Sequence, residues 1–591
     1  MWKWLSCLIV SLQLLLIPCW GQAVWNDEWP LEKKRDLGIL PLPRHVRGAG
    51  GPLALPNRTY SVFVSEELSC EALDEALIVL FKNFKCRPVK MNPGLRLFLL
   101  TPKAMTSPEI QPEGQDGTLL TSRAGDQGYW LKIHSSPAGP IIHCVANTSR
   151  GIFYGLQTLR FFPINPKEPH LPELEILDYP AFRNRAVLEG GYGAWPHEER
   201  LLLYPFQGRV KMNGYIYAPK AIPSFRKRWR RLHTEEDLQQ FKTEIDEARR
   251  YFVAYSYALS PVVRPTYASE KTMEFLMKKF GSLQDMGVKH MGLFFDDVLP
   301  ALCAPEDIER YVSVGEAQAD LANRLLQALE ARASVESFFF TPSQYAGTTP
   351  SNYMAALKEH LREDIHRGWT GPSICSFEIT LEDLKAYAEL CGGPVAIGDN
   401  HPVNRPLCLG PLRNRDPELY TLCDSYATNP LTESLDTQSV EASRVSVATI
   451  ADYTWNPTEY DPDWSWKQSL LLLGGEKMYP WLRVLAEQNQ ESCCHFSVPS
   501  KAKTLAKAFL ERGDEPATNA LLELKAEFTL YVKTPRELKV RFKNQLFLDR
   551  VAGELQELQE IGTQGLNLVI RITAHDTTAE EELAKLLERM Q

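Results

Sequence analysis

The sequence predicts an α/β protein: a (β/α)8 TIM-type barrel, preceded by a small α+β domain and followed by a helical domain. Three observations lead there. From about Phe182 to Trp466, short apolar runs alternate with amphipathic stretches, the pattern of a parallel sheet with crossover helices. Eight such units in about 300 residues suit a closed (β/α)8 barrel. After Trp466 the pattern turns mostly helical.

Taken in chain order, residues 1–23 read as a signal peptide. Lys3 supplies a basic start, Leu8 to Ile17 an apolar core, and Gly21-Gln22-Ala23 a small-residue cleavage site. That run is short for a bilayer span, so no stable membrane span is expected. Residues 24–180 form the expected α+β domain. It holds strand-like runs at Ser61–Val64 and Tyr129–Ile133, helical runs at Cys70–Asn83 and Gly151–Arg160, and a long surface loop over Ala104–Gln127. Residues 181–466 form the expected barrel. Its strands are read at Ala186–Glu189, Gly214–Tyr217, Phe252–Ala258, His290–Phe295, Ser337–Phe340, Ile365–Trp369, Val395–Ile397 and Leu422–Ala427. Thr234-Glu235-Glu236-Asp237 is a capping box that opens the helix after the second strand. Residues 467–591 form the expected helical domain, with helices at Lys503–Glu511, Ala517–Leu530 and from Glu537 onward.

Composition narrows the class. With 44% hydrophobic and 24% charged residues the chain is globular, and a net charge of -9 argues against nucleic acid as a partner. Outside the leader lie ten cysteines, an even number that fits an oxidising compartment. Cys70–Cys86, Cys375–Cys391 and Cys408–Cys423 are candidate local pairs, with buried thiols the equal alternative. Asn57-Arg58-Thr59 and Asn147-Thr148-Ser149 are N-glycosylation acceptors in a secreted or lumenal chain. No cysteine or histidine spacing suggests a metal, and no glycine-rich phosphate loop suggests a nucleotide cofactor. The expectation is no cofactor.

In a barrel the active site lies at the C-terminal ends of the strands. The fourth strand ends in Phe294-Phe295-Asp296-Asp297, two carboxylates that need partners or solvent there. Other strand ends lead to Lys220, Tyr345, Trp369-Thr370, Asp399-Asn400 and Thr428-Asn429. Carboxylates, amides, a phenol and an indole around one mouth suit a sugar, whose hydroxyls need hydrogen bonds and whose faces stack on aromatics. The basic cluster Arg226-Lys227-Arg228-Trp229-Arg230-Arg231 could bind an acidic glycan; a solvated helix face is the favoured reading. The aromatic segment Trp455 to Trp466 is read as packing at the barrel–helix junction.

These residues carry a resemblance. Glu189-Gly190-Gly191-Tyr192-Gly193, Lys211-Met212-Asn213, Tyr215 to Lys220, Tyr257 to Pro261, Leu293 to Asp297, Trp369 to Pro372, Leu409-Gly410-Pro411 and Thr428-Asn429-Pro430 occur in the order of glycoside hydrolase family 84. The chain resembles this family of O-GlcNAcases and bacterial hyaluronidase-like β-N-acetylglucosaminidases, and is most similar to the secreted bacterial three-domain type. Tyr154 to Leu159 and Asp178-Tyr179-Pro180 resemble the small domain that precedes such barrels. The resemblance implies removal of terminal β-linked N-acetylglucosamine from a glycoprotein or glycan by a retaining mechanism in which the substrate's acetamido group attacks. It implies Asp296 as the acetamido partner and Asp297 as acid/base, with Gly190, Lys220, Tyr345, Asn400 and Asn429 binding substrate. Close carboxylates are expected to raise the pKa of Asp297.

The chain departs from the family pattern in places. Ala221-Ile222 replaces two aspartates, Gly398 replaces a bulky residue, and Val262 replaces a glycine. The segment from Asn400 to Gly410 is about four residues short, in a loop that tolerates length change, and lacks an aspartate; Asn404 is not an equivalent. Two other readings follow from these departures: a hyaluronidase-like endo-β-N-acetylglucosaminidase, or a non-catalytic glycan-binding protein on the same scaffold.

Overall fold

The computed structural model describes residues 25, 27–55, 59–88, 94–105, 125–137, 139–162, 170–263, 265–298, 301–404, 407–432, 440–490, 499–511 and 518–590. The leader at 1–23, the acceptor Asn57, most of the 104–127 loop and Cys493-Cys494 lie outside them.

Eight parallel strands close into a barrel. They run Asn184–Glu189, Gly214–Tyr217, Ala254–Leu259, His290–Phe294, Ser337–Thr341, His366–Trp369, Val395–Asp399 and Ser425–Thr428. The first closes on the eighth with Asn184 opposite Ser425. Each expected strand is found, with ends shifted by a few residues as the ladder hydrogen bonds dictate. Helices His197–Arg209, Glu235–Arg250, Glu270–Gln284, Val314–Arg332, Asn352–His360, Leu381–Cys391 and Arg444–Trp455 cover the outside. Thr234 and Asp237 do form the expected reciprocal cap, and Thr380 with Asp383 forms a second. Between the seventh and eighth strands the described residues contain no α-helix, but the two-residue strand Val403–Asn404 and the 3-10 turn Leu419–Thr421.

Before the barrel lies a seven-stranded mixed sheet. Helices Glu71–Phe84 and Ser149–Leu159 pack together beside it. Thr148 of the second acceptor caps the latter helix by accepting from the Gly151 amide. After the barrel, Thr518–Arg541 packs along Ala552–Thr573, with Lys501–Leu510 and Thr578–Leu587 beside them. Barrel, sheet and C-terminal helices each bury their own apolar cluster. No described helix is long and apolar enough to cross a membrane.

A buried polar knot joins sheet to barrel. Asp178 ends a sheet strand and accepts from Lys211 Nζ at 3.0 Å, Tyr129 OH at 2.6 Å and Trp455 Nε1 at 2.8 Å. The Lys211 and Asp178 side chains are both fully buried. Trp455 therefore packs toward the N-terminal domain, where its ring meets Tyr154 edge-on. Only the later part of that aromatic segment serves the helical domain, with Trp466 Nε1 donating to Leu409 O at 2.7 Å.

Cys70 and Cys86, Cys375 and Cys391, and Cys408 and Cys423 form no disulfides with one another. Cys391 Sγ is turned to the carbonyls of Ala388 and Gly393, and Cys423 Sγ to those of Val395 and Ser425. Both are buried thiols, the alternative that the spacing alone left open.

Candidate active site

At the C-terminal mouth of the barrel lies a hollow of about 250 Å³. That is a little below the span of ligand pockets, about 300–1,000 Å³, and suits one sugar unit rather than several. Gly190, Lys220, Asp296, Asp297, Tyr345, Asn400 and Asn429 all line it. Leu188, Phe225, Phe294 and Trp369 supply apolar walls.

Each side chain has a local reason to be there. Glu189 ends the first strand buried, accepting from the Trp195 amide at 2.9 Å and from Arg200 at 2.8 and 2.9 Å. This fixes the corner that presents Gly190 and Tyr192. Lys220 is brought in by its amide, which donates to Gly191 O at 2.9 Å. Asp297 follows the fourth strand in a left-handed turn (φ 58°), a conformation that Asp tolerates better than most residues. Asp399, at the end of the seventh strand, takes a bidentate pair from buried Arg415 at 2.8 and 3.0 Å. Its carbonyl accepts the Asn429 amide at 2.8 Å, so the seventh and eighth strands set Asn400 and Asn429 side by side.

Those two amides form an oriented chain. The Gly190 N–H donates to Asn429 Oδ1 at 3.0 Å, Asn429 Nδ2 donates to Asn400 Oδ1 at 2.8 Å, and Asn400 Nδ2 donates to Ile374 O at 2.8 Å. At Gly190 a Cβ would come within 2.9 Å of the Asn429 side-chain amide, which would have to shift to admit it. At Gly398 a Cβ would meet nothing nearer than Trp369 O at 3.9 Å, so the wall is open at that point.

On the opposite side sit the carboxylates. Lys220 Nζ bridges them, 2.5 Å from Asp296 Oδ2 and 2.9 Å from Asp297 Oδ2. Asp297 also accepts from Tyr192 OH at 2.8 Å, Arg226 Nη2 at 3.3 Å and Tyr345 OH at 3.4 Å. Asp296 Oδ1 is buried and has no hydrogen-bond partner among the described residues.

The electrostatics correct the expectation for Asp297. Burial raises its pKa, but Lys220, Tyr192 and Arg226 outweigh that and hold it below the ordinary carboxylate value. For Lys220, burial lowers the pKa, and the Asp296 and Asp297 charges more than reverse this. The neighbouring carboxylate does not govern Asp297, because a lysine stands between the two.

Tyr192 and Arg226 were missed as site residues. Tyr192 lay in the Glu189-Gly190-Gly191 motif, and its position after a strand end was the available signal. Arg226 reads from the sequence as part of a solvated helix face, yet residues 221–230 are loop and turn, Trp229 is fully buried and Arg226 points at Asp297. Asn404 lies where no side chain is described.

A family model described as NAGidase, beta-N-acetylglucosaminidase, matches residues 185–487. Protein O-GlcNAcase of Rattus norvegicus and of Mus musculus are each 32% identical over 280 residues, 46% of this chain. That match spans 29% of the length of these curated relatives. A solved Thermobaculum terrenum O-GlcNAc hydrolase, in a mutant form, is 31% identical over 69% of this chain and 88% of its own, with a TM-score of 0.61. CpGH84B shares the fold over 93% of this chain and 96% of its own, at 24% identity and a TM-score of 0.75. The chain belongs to the β-N-acetylglucosaminidase family, glycoside hydrolase family 84.

Proposed function

We propose that the chain is a retaining β-N-acetylglucosaminidase that removes terminal β-linked N-acetylglucosamine from glycoproteins or glycans, with the sugar's own acetamido group as nucleophile. One observation carries this reading. Asp296 Oδ1 is a buried acceptor on the wall of the hollow with no partner among the described residues. Such an atom calls for a donor from a bound molecule, and an acetamido N–H supplies one.

In this reading Asp296 holds the acetamido group so that its oxygen faces the anomeric carbon, an intramolecular attack with a large orientation advantage. As the new C–O bond forms, the bond to the aglycone breaks and Asp297 gives its proton to the leaving oxygen. Water then adds to the anomeric carbon, Asp297 takes a proton from it, and the oxazoline reopens. Tyr345 bonds the acetamido carbonyl. Gly190, Lys220, Asn400 and Asn429 receive the sugar hydroxyls. Most retaining glycosidases use a protein carboxylate as nucleophile, and substrate-assisted families are the exception.

The test is hydrolysis of a fluorogenic aryl β-N-acetylglucosaminide by wild type, Asp296→Asn and Asp297→Asn. Asp296→Asn lowers turnover of every substrate. Asp297→Asn loses about 10²–10⁴-fold on an alkyl glycoside and less on the aryl glycoside, whose leaving group needs little protonation. A folded wild-type protein inert across pH about 4–8, where carboxylate catalysts work, overturns the enzyme reading and leaves a glycan binder.

A further inference from the structure

Three lysines are buried among the described residues: Lys34, Lys211 and Lys279. Lys34 Nζ lies 2.8 Å from Glu459 and 3.1 Å from Glu28, and Lys211 Nζ lies 3.0 Å from Asp178. Lys279, only 1% exposed, forms no ion pair among the described residues. A buried ammonium without a carboxylate is costly. Burial lowers the Lys279 pKa to about 7, and the Asp237 charge offsets only part of this. Its partners are two backbone carbonyls: Nζ donates to Ser224 O and, at 3.1 Å, to Trp229 O.

Those carbonyls bracket a residue of the site. Lys279 stands on the helix Glu270–Gln284, after the third barrel strand, whereas Ser224 and Trp229 belong to the loop after the second. Between them lie Phe225, which lines the hollow, and Arg226, whose Nη2 is 3.3 Å from Asp297 Oδ2. That is the only hydrogen bond of the Arg226 side chain among the described residues, and its Nε is buried without a partner there. The place of the guanidinium is therefore set by its backbone, and the backbone by the anchors of the loop. Two anchors are single: the Ser260 N–H reaches Phe225 O at 3.3 Å, and Trp229 Nε1 reaches Val263 O at 3.2 Å. Lys279 spans the turn and grips both of its ends. Bonds from a charged donor are roughly twice as strong as neutral ones.

We infer that Lys279 is a positioning residue of the active site: it holds the Ser224–Trp229 turn so that the Arg226 guanidinium stays on Asp297. This rests on the proposed function, in which Asp297 is the acid/base. Lys279 does not line the hollow and acts through Arg226. Its own charge does not do the work at Asp297, where the cations that matter are Lys220 and Arg226.

The experiment compares the intact chain with Lys279→Met, Lys279→Gln, Arg226→Gln, the double variant K279M/R226Q and Leu276→Ala. Leu276 is fully buried on the same helix and serves as a structural control. In hydrogen-exchange mass spectrometry the Ser224–Trp229 segment exchanges about tenfold faster in Lys279→Met, as for the loss of charged hydrogen bonds. In Leu276→Ala it exchanges no faster than the flanking barrel strands. In the pH profile of kcat/KM on an alkyl β-N-acetylglucosaminide, Lys279→Met moves the alkaline limb up by about one pH unit. The double variant moves it no farther than Arg226→Gln alone, because one residue acts through the other. Lys279→Gln, whose amide is shorter and uncharged, moves the limb part of the way and carries the test if Lys279→Met does not fold. An unmoved limb in a folded variant, wild-type exchange of the turn, additive shifts, or an equal shift in Leu276→Ala overturns the inference. A wild-type protein inert on every glycoside overturns the proposed function instead, and the exchange of the turn still decides whether Lys279 holds it.

Discussion

The substitution Asn429→Asp tests the amide chain across the mouth. Amide oxygen and nitrogen are ordinarily hard to tell apart, but here both ends of the chain are backbone atoms that cannot reverse. One end is the Gly190 N–H and the other the Ile374 carbonyl. An aspartate at 429 keeps the acceptor for Gly190 and loses the donor to Asn400 Oδ1, 2.8 Å away. Asn400 cannot turn over to help, because its Nδ2 would then leave Ile374 O. Both asparagines are only 7% exposed, so water replaces the lost donor poorly. A lost buried hydrogen bond with a stranded acceptor costs about 2–4 kcal/mol. The new carboxyl, buried against an acceptor, has its folded-state pKa raised above the unfolded one. Below the unfolded pKa both states are protonated and the carboxyl O–H stands in for the lost donor. As pH rises toward 7 the unfolded state ionises first, and the deficit grows. Urea unfolding at pH 4 and pH 7 reads this directly. Wild-type stability at pH 7, or a deficit of equal size at both pH values, would refute the oriented chain.

Other predictions follow from the same geometry. Because Asp297 is held ionised to low pH, kcat/KM for a substrate with a poor leaving group falls as pH rises through the weakly acidic range. Arg226→Gln removes one cation, raises the pKa of Asp297 and moves that alkaline limb to higher pH; an unmoved pH–rate profile contradicts the pairing. Asp178→Ala strands the buried Lys211 ammonium and destabilises the chain by about 3–5 kcal/mol, and adding Lys211→Met recovers part of the loss in a double-mutant cycle. Additive single effects there would mean that the two residues do not form the joint between sheet and barrel. Gly398→Ala keeps the wild-type unfolding midpoint, since its Cβ has room, whereas Gly190→Ala overpacks against Asn429 and loses about 1–3 kcal/mol.

Some features were legible in the sequence alone because they are local. Strand periodicity, the Thr234–Asp237 cap and the order of polar residues after apolar runs depend on neighbours within a few positions. Asp296, Asp297, Tyr345, Asn400 and Asn429 could be picked out for that reason, since barrel topology puts every strand end at one mouth. Charge state, cysteine pairing and the destination of a loop are not local. Arg226 reads as surface charge until the chain brings Asp297 to 3.3 Å from its guanidinium. Asp297 reads as a carboxylate with a raised pKa until Lys220 lies between it and Asp296. Trp455 reads as packing at the barrel–helix junction until Asp178, far earlier in the chain, accepts its indole N–H. Sequence by itself determined the barrel and which residues stand at its mouth. Only tertiary structure decided their partners, because Coulomb and hydrogen-bond energies depend on distances of a few ångströms between residues that the chain separates widely.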